Sequence, residues 1–210
     1  MPAISCQTAN AFGGLDFVWN HVDHPGPAAT EGIDMADVDI AINLNLRTVL
    51  VTTEAAIPEI RARGGGALLY AASTSGLVGL GVQSGLFNGE IRCGRFLSGR
   101  LPNGWLPITS GVNAVCSGPI DTPMLRVFVA RQDQQQAPGE GDKEALIVGR
   151  SQANSDEAHR QPGGDRQPVL LLLSGEASFV SGAALPVGGG ATAQINTQIG
   201  SDDGVHPEHD

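Results

Sequence analysis

Gly64-Gly65-Gly66-Ala67-Leu68-Leu69-Tyr70-Ala71-Ala72-Ser73-Thr74-Ser75-Gly76-Leu77-Val78-Gly79 is the stretch on which the fold turns. Three glycines close a preceding helix, a continuous apolar run over residues 67–72 follows, and three hydroxyl residues emerge before Gly76 turns the chain. An unbroken apolar run of this length suits a strand covered on both faces, which is the environment of a parallel sheet. In open α/β sheets ligands bind beyond the carboxyl ends of the strands, so Ser73 stands where a substrate would lie. A Ser/Thr turn capping the strand accounts for the same residues.

Working outward, residues 35–63 carry Val38, Ile40, Ile42, Leu44, Leu46, Val49, Leu50, Ala55, Ala56, Ile57 and Ile60 in the spacing of one long helix, with Asp34 or Asp37 at the amino-terminal cap. Pro58 is expected to kink its last turns. Asn43 and Asn45 interrupt the apolar pattern, and a buried amide must bond either a neighbouring backbone or an ordered water. Residues 13–20 read as a short buried strand, followed by a polar loop in which Pro25 and Pro27 forbid regular structure. His21, Asp23 and His24 in that loop suit a metal only if a rigid turn holds them, and the prolines argue against a helix there.

Downstream, residues 111–120 give another buried strand ending in Gly118-Pro119, and Asp121-Thr122-Pro123-Met124 opens a short helix with Asp121 or Thr122 as its cap. Residues 132–144 are polar and read as a mobile loop or lid. Residues 169–173 end a helix, and residues 179–187 form a final strand closed by three glycines. Strands alternating with helices predict an α/β fold, a parallel sheet flanked by helices.

The 210 residues suit one domain over residues 1–200, with residues 201–210 an acidic, disordered tail. Lysine and arginine number 12 against 22 acidic residues, a net charge of -10, which disfavours a nucleic-acid partner. Cys6, Cys93 and Cys116 have no regular spacing and suggest a reducing, cytoplasmic setting. The first residues lack the pattern of a signal peptide, and the apolar runs look too short to span a membrane.

Five blocks in order resemble the short-chain dehydrogenase/reductase family. Leu15-Asp16-Phe17-Val18-Trp19-Asn20-His21-Val22-Asp23 is similar to its Leu-Asp-x-Leu-Val-Asn-Asn-Ala-Gly strand, keeping Asn20. Ile42-Asn43-Leu44-Asn45-Leu46 resembles the helix bearing its active-site asparagine, which corresponds to Asn45, and Ser73 is similar to its catalytic serine. Residues 112–124 resemble the strand and loop that hold the nicotinamide, implying Asn20, Gly118, Ile120 and Thr122 as cofactor-binding positions, with Ser117 in place of the usual proline. Residues 176–182 and 185–190 resemble the closing segment. The resemblance implies a Rossmann-like fold, NAD or NADP as cofactor, a small alcohol or ketone as substrate, and a possible homo-oligomer. It implies hydride transfer at a carbonyl carbon, with tyrosine as acid/base and lysine lowering its pKa.

Two departures bear on activity. The chain begins just before the segment resembling the family's fourth strand, so the first half of the sheet and its glycine loop are expected to be missing; no Gly-x-Gly-x-x-Gly follows a strand in these 210 residues. The family's Tyr-x-x-x-Lys should fall over residues 86–91, where Leu86 and Glu90 stand instead. Tyr70 is the sole tyrosine and Lys143 the sole lysine. Back-translated and read one nucleotide further on, permitted codons for residues 85–91 spell Val-Tyr-Ser-Met-Ala-Lys-Phe. The same shift over residues 155–167 spells Pro-Met-Arg-Arg-Ile-Gly-Asn-Pro-Glu-Glu-Ile-Ala-Asn, which resembles the family's segment before its late helix. The expectation is an oxidoreductase by descent that is inactive as written. The alternative is a non-catalytic remnant or module that pairs with an intact relative. A serine hydrolase would need a Gly-x-Ser-x-Gly elbow, and the sequence has none.

Overall fold

The computed structural model describes residues 4–26, 32–77, 111–120, 122–124, 162–190 and 192. Four parallel strands form one sheet in the order β1-β2-β3-β4: β1 Phe17–Asn20, β2 Ala67–Ser73, β3 Gly111–Ser117 and β4 Ala184–Val187. The helices are α1 Ile4–Phe12, α2 Met35–Ile42, α3 Thr48–Ala62 and α4 Arg166–Leu173. Pro123 and Met124 are helical, as their sequence suggests.

The alternation of β2 explains why its sequence is apolar without interruption. Leu68, Tyr70 and Ala72 pack with Val49, Ala56, Ile57 and Ile60 of α3, while Leu69 packs with Val169 and Leu172 of α4. Both faces of the strand are covered, so neither face needs a polar residue. β3 repeats the arrangement, with Val112, Ala114 and Cys116 on the α3 side and Val115 on the α4 side.

α2 begins at Asp34, whose carboxylate accepts the Ala36 N–H at 2.9 Å. That bond satisfies one of the donors a helix start leaves free. Between α2 and α3 the helix widens into a π turn over Asn43–Arg47, with the Thr48 N–H reaching back to the Asn43 carbonyl. α3 runs on through Pro58 to Ala62. It ends in a Schellman turn: the Gly64 N–H bonds the Arg61 carbonyl and the Gly65 N–H the Ile60 carbonyl, at 3.0 and 3.2 Å. Gly64 takes a φ of +87°, which a side chain disfavours. Arg63 then pairs with Asp16 at 2.9 Å, tying this turn to the entrance of β1. Both side chains are about half exposed or more, so the pair contributes at most about 1 kcal/mol.

Several expectations are corrected. Ile4–Phe12, for which the sequence gives no signal, form α1, which packs on α3. β1 is not buried: Phe17 is 51% and Trp19 38% exposed, because β1 lies at the edge of the described sheet. The final strand is four residues long, and a 3-10 turn at Gly175–Ala177 precedes it. Met35–Ala62 is long and apolar enough to cross a membrane by length and composition, against the sequence reading, although its inward face packs on the sheet. The polar loop over residues 132–144, the positions of Leu86 and Glu90, and the acidic tail lie outside the described residues.

Candidate functional site

The register brings the hydroxyl residues to one edge. Ser73 pairs with Ser117, and Ser117 with Val187, so the carboxyl ends of β2, β3 and β4 finish level. β1 stops lower, at the Asn20 and Tyr70 pair, and residues 21–26 continue from there as an irregular loop.

Ser73 caps the 3-10 turn Thr74–Gly76. Its Oγ accepts the Ser75 N–H at 3.2 Å and lies 2.9 Å from Ser75 Oγ. The Ser/Thr turn is therefore present, and Ser73 lies half-buried at the carboxyl end of β2.

Asn45 sits in the π turn and is 6% exposed. Its Oδ1 accepts the His24 N–H and its Nδ2 donates to the His24 carbonyl, each at 2.8 Å. Of the two outcomes open to a buried amide, Asn45 therefore bonds a neighbouring backbone. Asn43 is exposed and accepts from Arg47 at 3.3 Å. His24 Nδ1 accepts the Gly26 N–H at 3.2 Å, and the His21 ring packs against Trp19 with centroids 4.5 Å apart. Among the described residues no group of three His, Cys, Asp or Glu is placed to hold a metal.

Beyond β3, the Gly118 N–H bonds the Val187 carbonyl at 2.8 Å. A Cβ on Gly118 would stand 2.7 Å from the Gly188 Cα, so only glycine permits this approach of the two strand ends. Ser117 Oγ donates to Asp165 Oδ2 at 3.3 Å, linking β3 to the start of α4. Ile120 and Thr122 follow half-buried. At the other side, Asn20 Nδ2 is buried and makes no hydrogen bond.

Three hydrogen-bonded positions have roles in the fold that the sequence alone does not assign. Asn113 donates to the Val180 carbonyl at 2.9 Å and accepts the Ala183 N–H at 3.0 Å, fixing the loop that delivers β4. An asparagine inside an apolar strand was the available signal. Ser75 stands in the hydroxyl run that the sequence shows, but its bond to Ser73, like that of Asp165 to Ser117, becomes visible only in the fold.

Tyr70 is 1% exposed, and its hydroxyl lies 2.9 Å from Thr53 Oγ1 between β2 and α3. Strand alternation turns it to the face opposite Ser73.

A family model described as enoyl-(acyl carrier protein) reductase matches residues 2–192. Levodione reductase of Leifsonia aquatica is 28% identical over 198 residues, covering 89% of this chain and 67% of that protein. Cyclohexanol dehydrogenase of an Acinetobacter species is 28% identical over 189 residues, covering 88% and 67%. A crystal structure from Burkholderia xenovorans, described as a short-chain dehydrogenase/reductase, superposes with a TM-score of 0.76 at 27% identity, covering 92% of this chain and 71% of that one. With the four-stranded parallel sheet, its flanking helices and a family model matched over nearly the whole length, the chain belongs to the short-chain dehydrogenase/reductase family.

Proposed function

We propose that this chain is by descent an oxidoreductase for a small alcohol or ketone, retains the carbonyl-binding part of the site in Ser73 and Asn45, and lacks the group that moves the proton. The observation that carries this reading is the burial of Tyr70. The sole tyrosine of the sequence is sealed between β2 and α3 against Thr53, so it is not available at the strand ends as an acid/base. Ser73 can donate a hydrogen bond to a carbonyl oxygen and polarise it, but an ordinary serine hydroxyl is too weak an acid to protonate that carbonyl at a useful rate. Restoring tyrosine and lysine across residues 85–91 requires one displaced reading frame, and residues 155–167 answer to the same displacement. We therefore read the gene as carrying local frame displacements.

The residues fit a nicotinamide dinucleotide only in part. The Asn20 amide, buried with no hydrogen-bond partner among the described residues, suits the nicotinamide end. For the phosphates the 210 residues supply no glycine-rich loop after a strand. NAD or NADP is thus a family trait that this polypeptide does not reproduce alone.

A second reading, a non-catalytic module that pairs with an intact relative, is favoured by Ile42, Leu50 and Val51, which stand exposed on the outer side of α2 and α3. Sequencing the coding DNA and assaying carbonyl reduction by the purified chain test the first reading. Uninterrupted codons for Leu86 and Glu90 together with measurable reduction would overturn it. Co-purification with an intact family member through a Leu50→Lys-sensitive contact would support the second.

A further inference from the structure

We propose that Ser75 is a positioning residue that holds the Ser73 hydroxyl as a hydrogen-bond donor toward a substrate carbonyl. The inference rests on the reading of Ser73 given above and extends it to the direction of its proton. A serine hydroxyl has one proton to give and two lone pairs to fill. The Ser75 N–H occupies one lone pair of Ser73 Oγ at 3.2 Å, and Ser75 Oγ stands 2.9 Å away.

Either hydroxyl can donate across that 2.9 Å, and burial decides which. Ser75 is 8% exposed, whereas Ser73 is half-buried at the strand end. If Ser73 donated, the Ser75 proton would be left without an acceptor in the interior, which costs more than leaving the Ser73 proton to solvent or a ligand. Ser75 therefore donates, both lone pairs of Ser73 Oγ are filled, and its O–H points away from the 3-10 turn. Such a hydroxyl is set to meet an acceptor, as a carbonyl oxygen is, and is ill suited to accept a proton. No bond is made or broken by Ser75; it fixes which way Ser73 is polarised.

The test is a titration of the isotopically labelled 210-residue chain with cyclohexanone, following the amide resonances of Ser75 and Gly76. Saturable shifts are expected for the native chain and their loss in Ser73→Ala. Ser75→Ala should weaken the apparent Kd about fivefold to tenfold, and Ser75→Thr, which keeps the hydroxyl, should restore it to within about twofold. Should Ser75→Ala not fold, Ser75→Cys, a weak donor of similar size, takes its place with a smaller loss. Melting temperatures measured in parallel separate positioning from stability, since a purely structural Ser75 would change Tm and leave the Kd of the folded protein alone. No saturable shift in the native chain, or unchanged binding in Ser73→Ala, would overturn the site reading and the inference together. Loss in Ser73→Ala with native affinity in Ser75→Ala would overturn the inference alone.

Discussion

The side chain of Asn45 and the backbone of His24 exchange two hydrogen bonds of 2.8 Å, so the loop after β1 is clasped to the π turn between α2 and α3. A helix of uniform pitch would turn residue 45 through a different angle, and the widened turn aims its amide at the loop. Asn45→Ala leaves both His24 groups without their partner. A loss of about 2 kcal/mol in urea unfolding is expected, with Asn45→Asp also destabilising because a carboxylate cannot donate to the His24 carbonyl. Stability unchanged in both variants would mean that the loop is held elsewhere.

Tyr70 and Thr53 provide a second test, in the core. Tyr70→Phe and Thr53→Val each remove one hydroxyl of the buried 2.9 Å pair. Each should cost about 1 to 2 kcal/mol, and the double variant should cost less than their sum. A double-mutant cycle by chemical denaturation measures the coupling, and strict additivity would show that the two hydroxyls do not depend on each other.

Asn113 joins β3 to the loop before β4 through the Val180 carbonyl and the Ala183 N–H. Asn113→Leu, similar in volume, removes both bonds and should lower stability by about 3 kcal/mol, chiefly by detaching β4. Amide exchange would locate the damage. Protection should fall in residues 182–187 before it falls in β2, and uniform loss across the sheet would contradict this placement.

The sheet was legible in the sequence because β2 and β3 are apolar on both faces, and that pattern follows directly from having α3 on one side and α4 on the other. The place of Ser73 at the carboxyl end of β2 was legible as well, because a hydroxyl cluster ending such an apolar run stands out. β1 was misjudged, since Phe17 and Trp19 look like core residues in sequence and become exposed only because β1 takes an edge position. Phe179 and Val180 misled in a similar way, being apolar and β-prone yet lying in the irregular stretch before β4. The Ser75 to Ser73 contact, the Asn45 clasp and the Ser117 to Asp165 link depend on pairings that spacing alone does not encode.

The edge of β1 has its own consequence. Exposed Phe17 and Trp19 beside a strand with one neighbour in the described sheet form a surface prone to association. Trp19→Lys should reduce light scattering of concentrated protein while changing the melting temperature little. A native chain that stays monodisperse at high concentration would show that this edge is covered.

The 210 residues carry no Gly-x-Gly-x-x-Gly after a strand, and this bears on cofactor affinity. Calorimetric titration of the 210-residue chain with NADH and NADPH should show no binding in the micromolar range. Micromolar affinity would reveal a phosphate site built from other residues.

The most direct test of the account compares NAD(P)H-dependent reduction of a small ketone by four proteins, followed by loss of nicotinamide absorbance. They are the chain as it stands, the chain with Val-Tyr-Ser-Met-Ala-Lys-Phe in place of residues 85–91, that altered chain joined to the nucleotide-binding half of a relative, and the last with Ser73→Ala. The first two should be silent, the third should turn over, and Ser73→Ala should lower that turnover by roughly two to three orders of magnitude. Reduction by the unaltered chain, or a joined protein indifferent to Ser73→Ala, would contradict the placement of the site.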